Sequence, residues 1–259
     1  MALPSGLAGL MLDLDGVLYV EDEPVPGAVE AVRRLRERGL ALRFVTNTTS
    51  RPRRQILARL TRLGCEVPPD ELLTPAALAV RYCRDRGHER VALVMNEAVR
   101  EDFAALVAAD DDDVDAVIIG DCGDAFGYAV LNRAFRHVMG GAELIALQKN
   151  RYWRTPDGLS LDVGPFVAAL EYATDRDAVV IGKPAPEFFA SALAGMALSA
   201  EQVAMVGDDV ESDIGGALSA GLAGILVRTG KFRAEALRRA TPQPTAVVES
   251  IADVPSLLE

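Results

Sequence analysis

Short apolar runs and amphipathic segments alternate along nearly the whole chain, the pattern of a parallel sheet covered by helices. Residues 7–15, LAGLMLDLD, read as a first strand that stays apolar until it ends in two carboxylates. Residues 28–39 place apolar side chains at helical spacing and stop at Gly39, and residues 40–47, LALRFVTN, form the next strand. Together they make one βαβ unit. Pro52 opens a further helix, whose stripe of Ile56, Leu57, Leu60 and Leu63 ends at Gly64.

The alternation repeats on a smaller scale between residues 75 and 178: helix 75–86, strand 91–95, helix 97–108, strand 116–120, helix 127–139 and strand 143–147. A hairpin over 152–163 follows, turning at Pro156, Asp157 and Gly158. From 179 onward, VVIGKP, a helix at 186–196, the strand QVAMVGDD, a helix at 214–221 and the strand AGILVRTG read as a return to the first sheet. The expected class is α/β: a Rossmann-like doubly wound parallel core from 1–74 and 179–259, with a second, smaller α/β domain inserted at 75–178.

Composition narrows the function. The chain has 259 residues, half of them apolar and a quarter charged, which suits one large or two modest globular domains. Its 27 Lys and Arg face 38 Asp and Glu, a formal charge of -11 that disfavours nucleic acid or an anionic membrane as partner. A small substrate remains compatible. Cys65, Cys83 and Cys122 show no CxxC spacing, so neither a disulfide framework nor a zinc site is expected and a reducing cytoplasm is the natural compartment. The opening residues lack a basic segment and read as a buried strand rather than a signal peptide. No run approaches the roughly 20 apolar residues of a membrane span.

The candidate chemistry sits at strand ends. Asp13 and Asp15 both lie at the carboxyl edge of the first strand, where open α/β sheets place ligands. Gly16 then lets the chain turn away. Neighbouring carboxylates in an apolar setting call for a cation or shifted pKa values. A second cluster, Asp208, Asp209 and Asp213, follows the apolar VAMV. Oxygen-only donors that meet a phosphate suggest Mg2+. Thr46 and Asn47 end a third strand and can offer a hydroxyl, an amide and backbone N–H groups to phosphoryl oxygens. Lys183 ends a fourth, and only three of the 27 basic residues are lysine, the others being Lys149 and Lys231. A compact ammonium there can neutralise a nucleophilic carboxylate and a transferring phosphoryl group.

MLDLDGVLY, FVTNTTS, IGKPAPEFF and VGDDVESD resemble, in order, the four motifs of the haloacid dehalogenase superfamily. The insertion between the second and third is similar to the cap of its class IIA phosphatases. NRYWRTPDGLSLDVGPFVAALEYAT and VRTGKF resemble the phospholysine phosphohistidine inorganic pyrophosphate phosphatases and their relatives. The resemblance implies Asp13 as nucleophile and metal ligand, and Asp15 as acid then base with its carbonyl on the metal. Asp208 is the remaining metal ligand it implies, with Asp209 or Asp213 positioning Asp208 or Lys183, and Thr46, Asn47 and Lys183 holding phosphate. The implied activity is Mg2+-dependent hydrolysis of a small phosphomonoester, pyrophosphate or phosphoramidate through an aspartyl-phosphate. Resembling enzymes commonly pair cap to cap, which leaves a homodimer open. ALQKNRYW departs from the Thr-Asn-x-Asp stretch of the nucleotide and pyridoxal phosphatases, so their substrate preferences do not transfer.

Two rivals use similar residues. Carbon–halogen hydrolysis needs the nucleophile but neither Asp15 nor Mg2+, and a phospho-accepting receiver module is about half this size and has no cap. Elsewhere, Asp110–Asp113 reads as a solvated loop. The three cysteines read as small buried hydrophobes, and His88 and His137 as structural or surface residues. Tyr152 and Trp153 read as cap core or cross-strand residues of the hairpin, and Lys149, Asn150 and Arg151 as weak candidates for an anionic substrate.

Overall fold

The five residues Gly9–Asp13 are buried along their whole length, with Leu10, Met11 and Leu12 fully shielded from solvent. A strand apolar on both faces must lie inside a sheet covered on both sides, and each such side chain contributes about 1.5–3 kcal/mol. The computed structural model, which describes residues 3–4, 6–108, 113–155 and 158–258, places this strand at the centre of a six-stranded sheet. Its order is Ala246–Val248, Ala223–Val227, Val203–Gly207, Gly9–Asp13, Ala41–Val45 and Leu72–Leu73, with every pairing parallel. The chain winds outward from the Gly9–Asp13 strand in one direction and later returns to fill the other, so the order reverses between that strand and Val203–Gly207. Such a reversal opens a crevice at the carboxyl ends of the two strands. Asp13 and Asp208 are found there.

Two compact units make up the fold. The first comprises Met1–Thr46, Leu57–Leu73 and Lys183–Glu259, and the second Asn47–Ile56 and Thr74–Gly182. In the first, helix Ala28–Glu37 buries Ala28, Ala31, Val32 and Leu35, the spacing of one helical face. Helix Pro186–Met196 buries Phe188 and Phe189, and Phe189 lies where a Cβ on Gly216 would fall 2.6 Å from its ring.

The second unit holds a five-stranded parallel sheet in the order Val179–Val180, Glu143–Ala146, Ala116–Ile119, Arg90–Val94 and Val107–Ala108. Val117, Ile119, Leu144, Val138 and Val167 pack into its core beside helices Tyr128–Met139 and Val163–Thr174. The segment Asn47–Ile56 is tied to this unit: Thr49 Oγ1 accepts from the Asp121 N–H at 3.1 Å, and Asn96 Nδ2 donates to the Ser50 carbonyl at 3.0 Å. Among the described residues no helix is long and apolar enough to cross a membrane.

Several elements differ from the sequence pattern. Residues 97–108 are not one helix: a 3-10 segment covers Glu97–Phe103, and Val107–Ala108 adds a strand beside Arg90–Val94. The unpaired edge of the sheet recruits that backbone over its helical propensity. Val179–Val180 pair with Glu143–Ala146 in the second sheet instead of returning to the first, and the Ile181 N–H extends the ladder to the Ala146 carbonyl. The chain re-enters the first unit at Lys183. The helix expected at 214–221 begins at Val210 with a wide π turn over Val210–Gly215, because Asp209 caps it from upstream.

The hairpin pairs Tyr152–Thr155 with Gly158–Leu161, which leaves Tyr152 and Trp153 exposed rather than in a core. Its turn residues Pro156 and Asp157, and Asp110, Asp111 and Asp112 of the acidic run, lie outside the described residues. Cys65 and Cys83 are buried thiols, whereas Cys122 is half-buried. Lys149 is engaged with Glu171 at 2.7 Å, and His88 with Glu143 at 2.6 Å.

Candidate active site

Four of the residues read from the sequence converge at the crevice of the first sheet. Asp13 closes its strand, Lys183 opens the returning segment of the first unit, and Asp208 and Asp213 follow strand Val203–Gly207. All four are buried, between 1% and 6% exposed. Lys183 Nζ donates to Asp13 Oδ1 at 2.7 Å and to Asp213 Oδ1 at 2.6 Å. Asp213 Oδ2 in turn accepts from the Asp209 N–H at 3.1 Å. Asp209 directs its own Oδ1 to the N–H groups of Glu211 and Ser212, at 2.9 and 3.0 Å. Of the two acids, Asp213 therefore holds Lys183, and Asp209 caps its own turn.

Thr46 follows strand Ala41–Val45 and is 1% exposed, on the strand next to Asp13 in the sheet. Asp15 lies in the turn after the first strand, and Tyr19 donates to its Oδ2 at 3.4 Å. Asn47 falls in the second unit, where a Cβ on Gly182 would lie 2.7 Å from its Oδ1.

Asp208 is confined by groups that its own motif does not contain. The Lys231 N–H donates to Asp208 Oδ2 at 2.6 Å. Thr229 Oγ1 donates to the Gly16 carbonyl and joins the two loops that flank this carboxylate. A Cβ on Gly16 would sit 1.9 Å from Asp208 Oδ2 and one on Gly230 would sit 2.0 Å from it, and both glycines have positive φ, at +84° and +60°. Both loops can close on the carboxylate only as glycine. The sequence pattern assigns Thr229, Gly230 and Lys231 no role at this site, although VRTGKF and the scarce Lys231 both mark the segment just beyond the strand AGILV.

The electrostatics follow from burial. Desolvation pushes the Asp13 carboxyl up to about 7; Lys183 pulls against it, while Asp213 and Asp15 add to the rise. Desolvation also lifts Asp208 well above the carboxylate range, reinforced by Asp13 and Asp213 and opposed by the Lys231 N–H. For Lys183 desolvation disfavours the charge, but the adjacent Asp13 and Asp213 outweigh it and hold the ammonium above its ordinary range.

Oxygens of Asp13, Asp208 and Asp213 all lie within 4.8 Å of one another. Three buried carboxylates outnumber the two ammonium groups that act on them, Lys183 and Lys231, and leave negative charge that a hard divalent cation fits; an all-oxygen donor set suits Mg2+.

Comparison with known proteins now decides the family. A model of haloacid dehalogenase-like hydrolases matches residues 10–107, and a second, HAD-hydrolase-like model matches residues 180–254. The chain belongs to the haloacid dehalogenase superfamily. It is 43% identical over 250 residues to haloacid dehalogenase-like hydrolase domain-containing protein 2 of Bos taurus, covering 96% of this chain and 95% of that protein. It is 39% identical over 265 residues to phospholysine phosphohistidine inorganic pyrophosphate phosphatase of Rattus norvegicus, covering 98% and 95%. The fold matches a p-nitrophenyl phosphatase from Archaeoglobus fulgidus with a TM-score of 0.91 and 30% identity, over 96% of this chain and 98% of that one. A glycerol phosphate phosphatase from Mycobacterium tuberculosis, solved in complex with magnesium, matches at 0.86 and 30% identity, over 100% and 78%. These neighbours place the chain in the capped class IIA branch, and it is a phosphatase of the haloacid dehalogenase-like type.

Proposed function

We propose that the chain is a Mg2+-dependent phosphatase that hydrolyses a small phosphorylated substrate through an aspartyl-phosphate on Asp13. The observation that carries this reading is the ion pair between Lys183 and Asp13 at the reversal of the sheet, beside two further buried carboxylates, Asp208 and Asp213.

In this reading a carboxylate oxygen of Asp13 attacks phosphorus, the bond from phosphorus to the leaving oxygen breaks, and Asp15 gives its proton to that oxygen. Asp15, now a carboxylate, accepts a proton from a water whose oxygen attacks phosphorus. Cleavage of the bond from phosphorus to Asp13 then releases phosphate and restores both side chains. Lys183 orients Asp13 and balances charge on the phosphoryl group, Thr46 contributes its hydroxyl to that group, and Asp213 keeps Lys183 in place. Asp13, Asp208 and the Asp15 carbonyl would hold Mg2+, which when bound supplies positive charge for the phosphoryl oxygens.

The substrates for which the relatives are named are p-nitrophenyl phosphate, glycerol phosphate, phosphoamino acids and pyrophosphate, which supports a phosphomonoester, pyrophosphate or phosphoramidate as the substrate class. The inserted unit is assigned the selection among them. The test is release of p-nitrophenolate from p-nitrophenyl phosphate: turnover is expected with Mg2+, absent in EDTA and restored when Mg2+ is returned. Undiminished turnover in EDTA would overturn the role of the metal.

A further inference from the structure

His137 stands in the second unit as a buried imidazole, 4% exposed, and neither ring nitrogen meets a hydrogen-bond partner among the described residues. A buried polar group left unpaired is costly, so such an orphan marks a place where a partner is missing. His137 lines a cavity of about 170 Å³. Helix Tyr128–Met139 presents Val130, Arg133, Ala134 and His137 to it, one face at helical spacing, opposite strand Arg90–Val94. Arg100 and Cys122 complete its polar lining, and Leu93, Val94 and Met95 its apolar wall. No carboxylate lines it among the described residues; Glu97, 91% exposed, reaches Arg100 Nε at 3.4 Å from the solvent side.

We propose that this cavity binds a small organic carboxylate, with Arg133 and Arg100 on the anionic head, His137 donating to it through one ring nitrogen, and the apolar wall around its short body. The charge fixes the sign of the ligand: two arginines and no acid are among the residues that line the space, and the planar fork of arginine matches a carboxylate. The size fixes its scale, since an apolar cavity of about 150 Å³ accommodates benzene. Water would pair the imidazole but would leave Arg133 without a counter-charge among the described residues, and Arg100 with Glu97 alone. Arg100 already donates through Nη2 to the Leu93 carbonyl at 3.2 Å, which anchors it at the rim with further N–H groups for a ligand. The site lies wholly inside the second unit and does not depend on the reaction proposed for Asp13.

The test is titration of the full chain with butyrate, benzoate and inorganic phosphate, followed by the NMR signals of the His137 ring and the Arg133 side chain and by the thermal midpoint. Butyrate and benzoate should move both sets of signals and raise the midpoint, while butyramide, which lacks the charge, does neither. Arg133 is exposed, so Arg133→Ala should keep the fold and weaken butyrate about tenfold or more, as loss of a charge-assisted contact does. His137→Phe, close in size but without ring nitrogens, should weaken butyrate about tenfold or more. The proposal is overturned if butyrate and benzoate leave these signals unmoved, if Arg133→Ala binds butyrate as tightly as the parent chain, or if inorganic phosphate displaces butyrate from the same residues at lower concentration.

Discussion

Lys183 and Asp13, 170 residues apart in sequence, meet in the interior of the first unit with Nζ 2.7 Å from Oδ1. A buried ammonium is stable only with partners, and Asp13 and Asp213 both serve it. Lys183→Met is therefore expected to leave these two carboxylates uncompensated. It should cost about 3–5 kcal/mol in urea unfolding, as breaking a buried pair does, and lower kcat by at least a hundredfold. A variant that unfolds at the parent urea midpoint would contradict this account of the pair.

The raised carboxyls give the metal-free chain a defined response to pH. Asp13 titrates near 7 when folded, against 3.8 as its ordinary value, so between those values the folded state holds more protons than the unfolded one. Stability in EDTA should then fall as pH rises from about 4 through 7, by a few kcal/mol, and Asp208 shifts in the same direction. Mg2+, which binds the ionised carboxylates, should restore stability most at the upper end of that window. Calorimetry in EDTA and in Mg2+ across this range checks the sign.

Gly16 is the tightest backbone position in the site. Alanine there meets both a φ of +84° and the Asp208 carboxylate, so Gly16→Ala should displace Asp208 and cost about 1–3 kcal/mol. Mg2+ affinity measured by calorimetry should fall together with kcat. Unchanged affinity would show that the site does not need Asp208 where it stands.

Asp15→Asn keeps the backbone carbonyl and the size of the side chain but removes the acid. Turnover should fall about 10²–10⁴-fold while Mg2+ affinity stays within a few-fold of the parent chain. Equal loss of both would assign Asp15 to the metal alone.

Much of this was legible from strand ends. Asp13, Thr46 and Asp208 each stand at or just past the last residue of an apolar strand, and a parallel sheet brings such ends to one edge whatever lies between them. Periodicity does not say which loops close over that edge. Lys231 reaches Asp208 through a backbone N–H, a contact that no side-chain pattern encodes, and the need for Gly230 is visible only as a clash. Short elements were lost for a related reason. Val107–Ala108 and Val179–Val180 are two-residue edge strands, held by a neighbour's open ladder rather than by their own periodicity. His137 sits on a helix that the sequence does announce, but its missing partner is a property of the packing around it.

The central claim is that Asp13 carries the phosphoryl group. Enzyme mixed with p-nitrophenyl phosphate and Mg2+, quenched in acid during turnover and reduced with borohydride, should yield a peptide with homoserine in place of Asp13, and none from Asp13→Asn. Homoserine at another aspartate, or full turnover by Asp13→Asn, would contradict it.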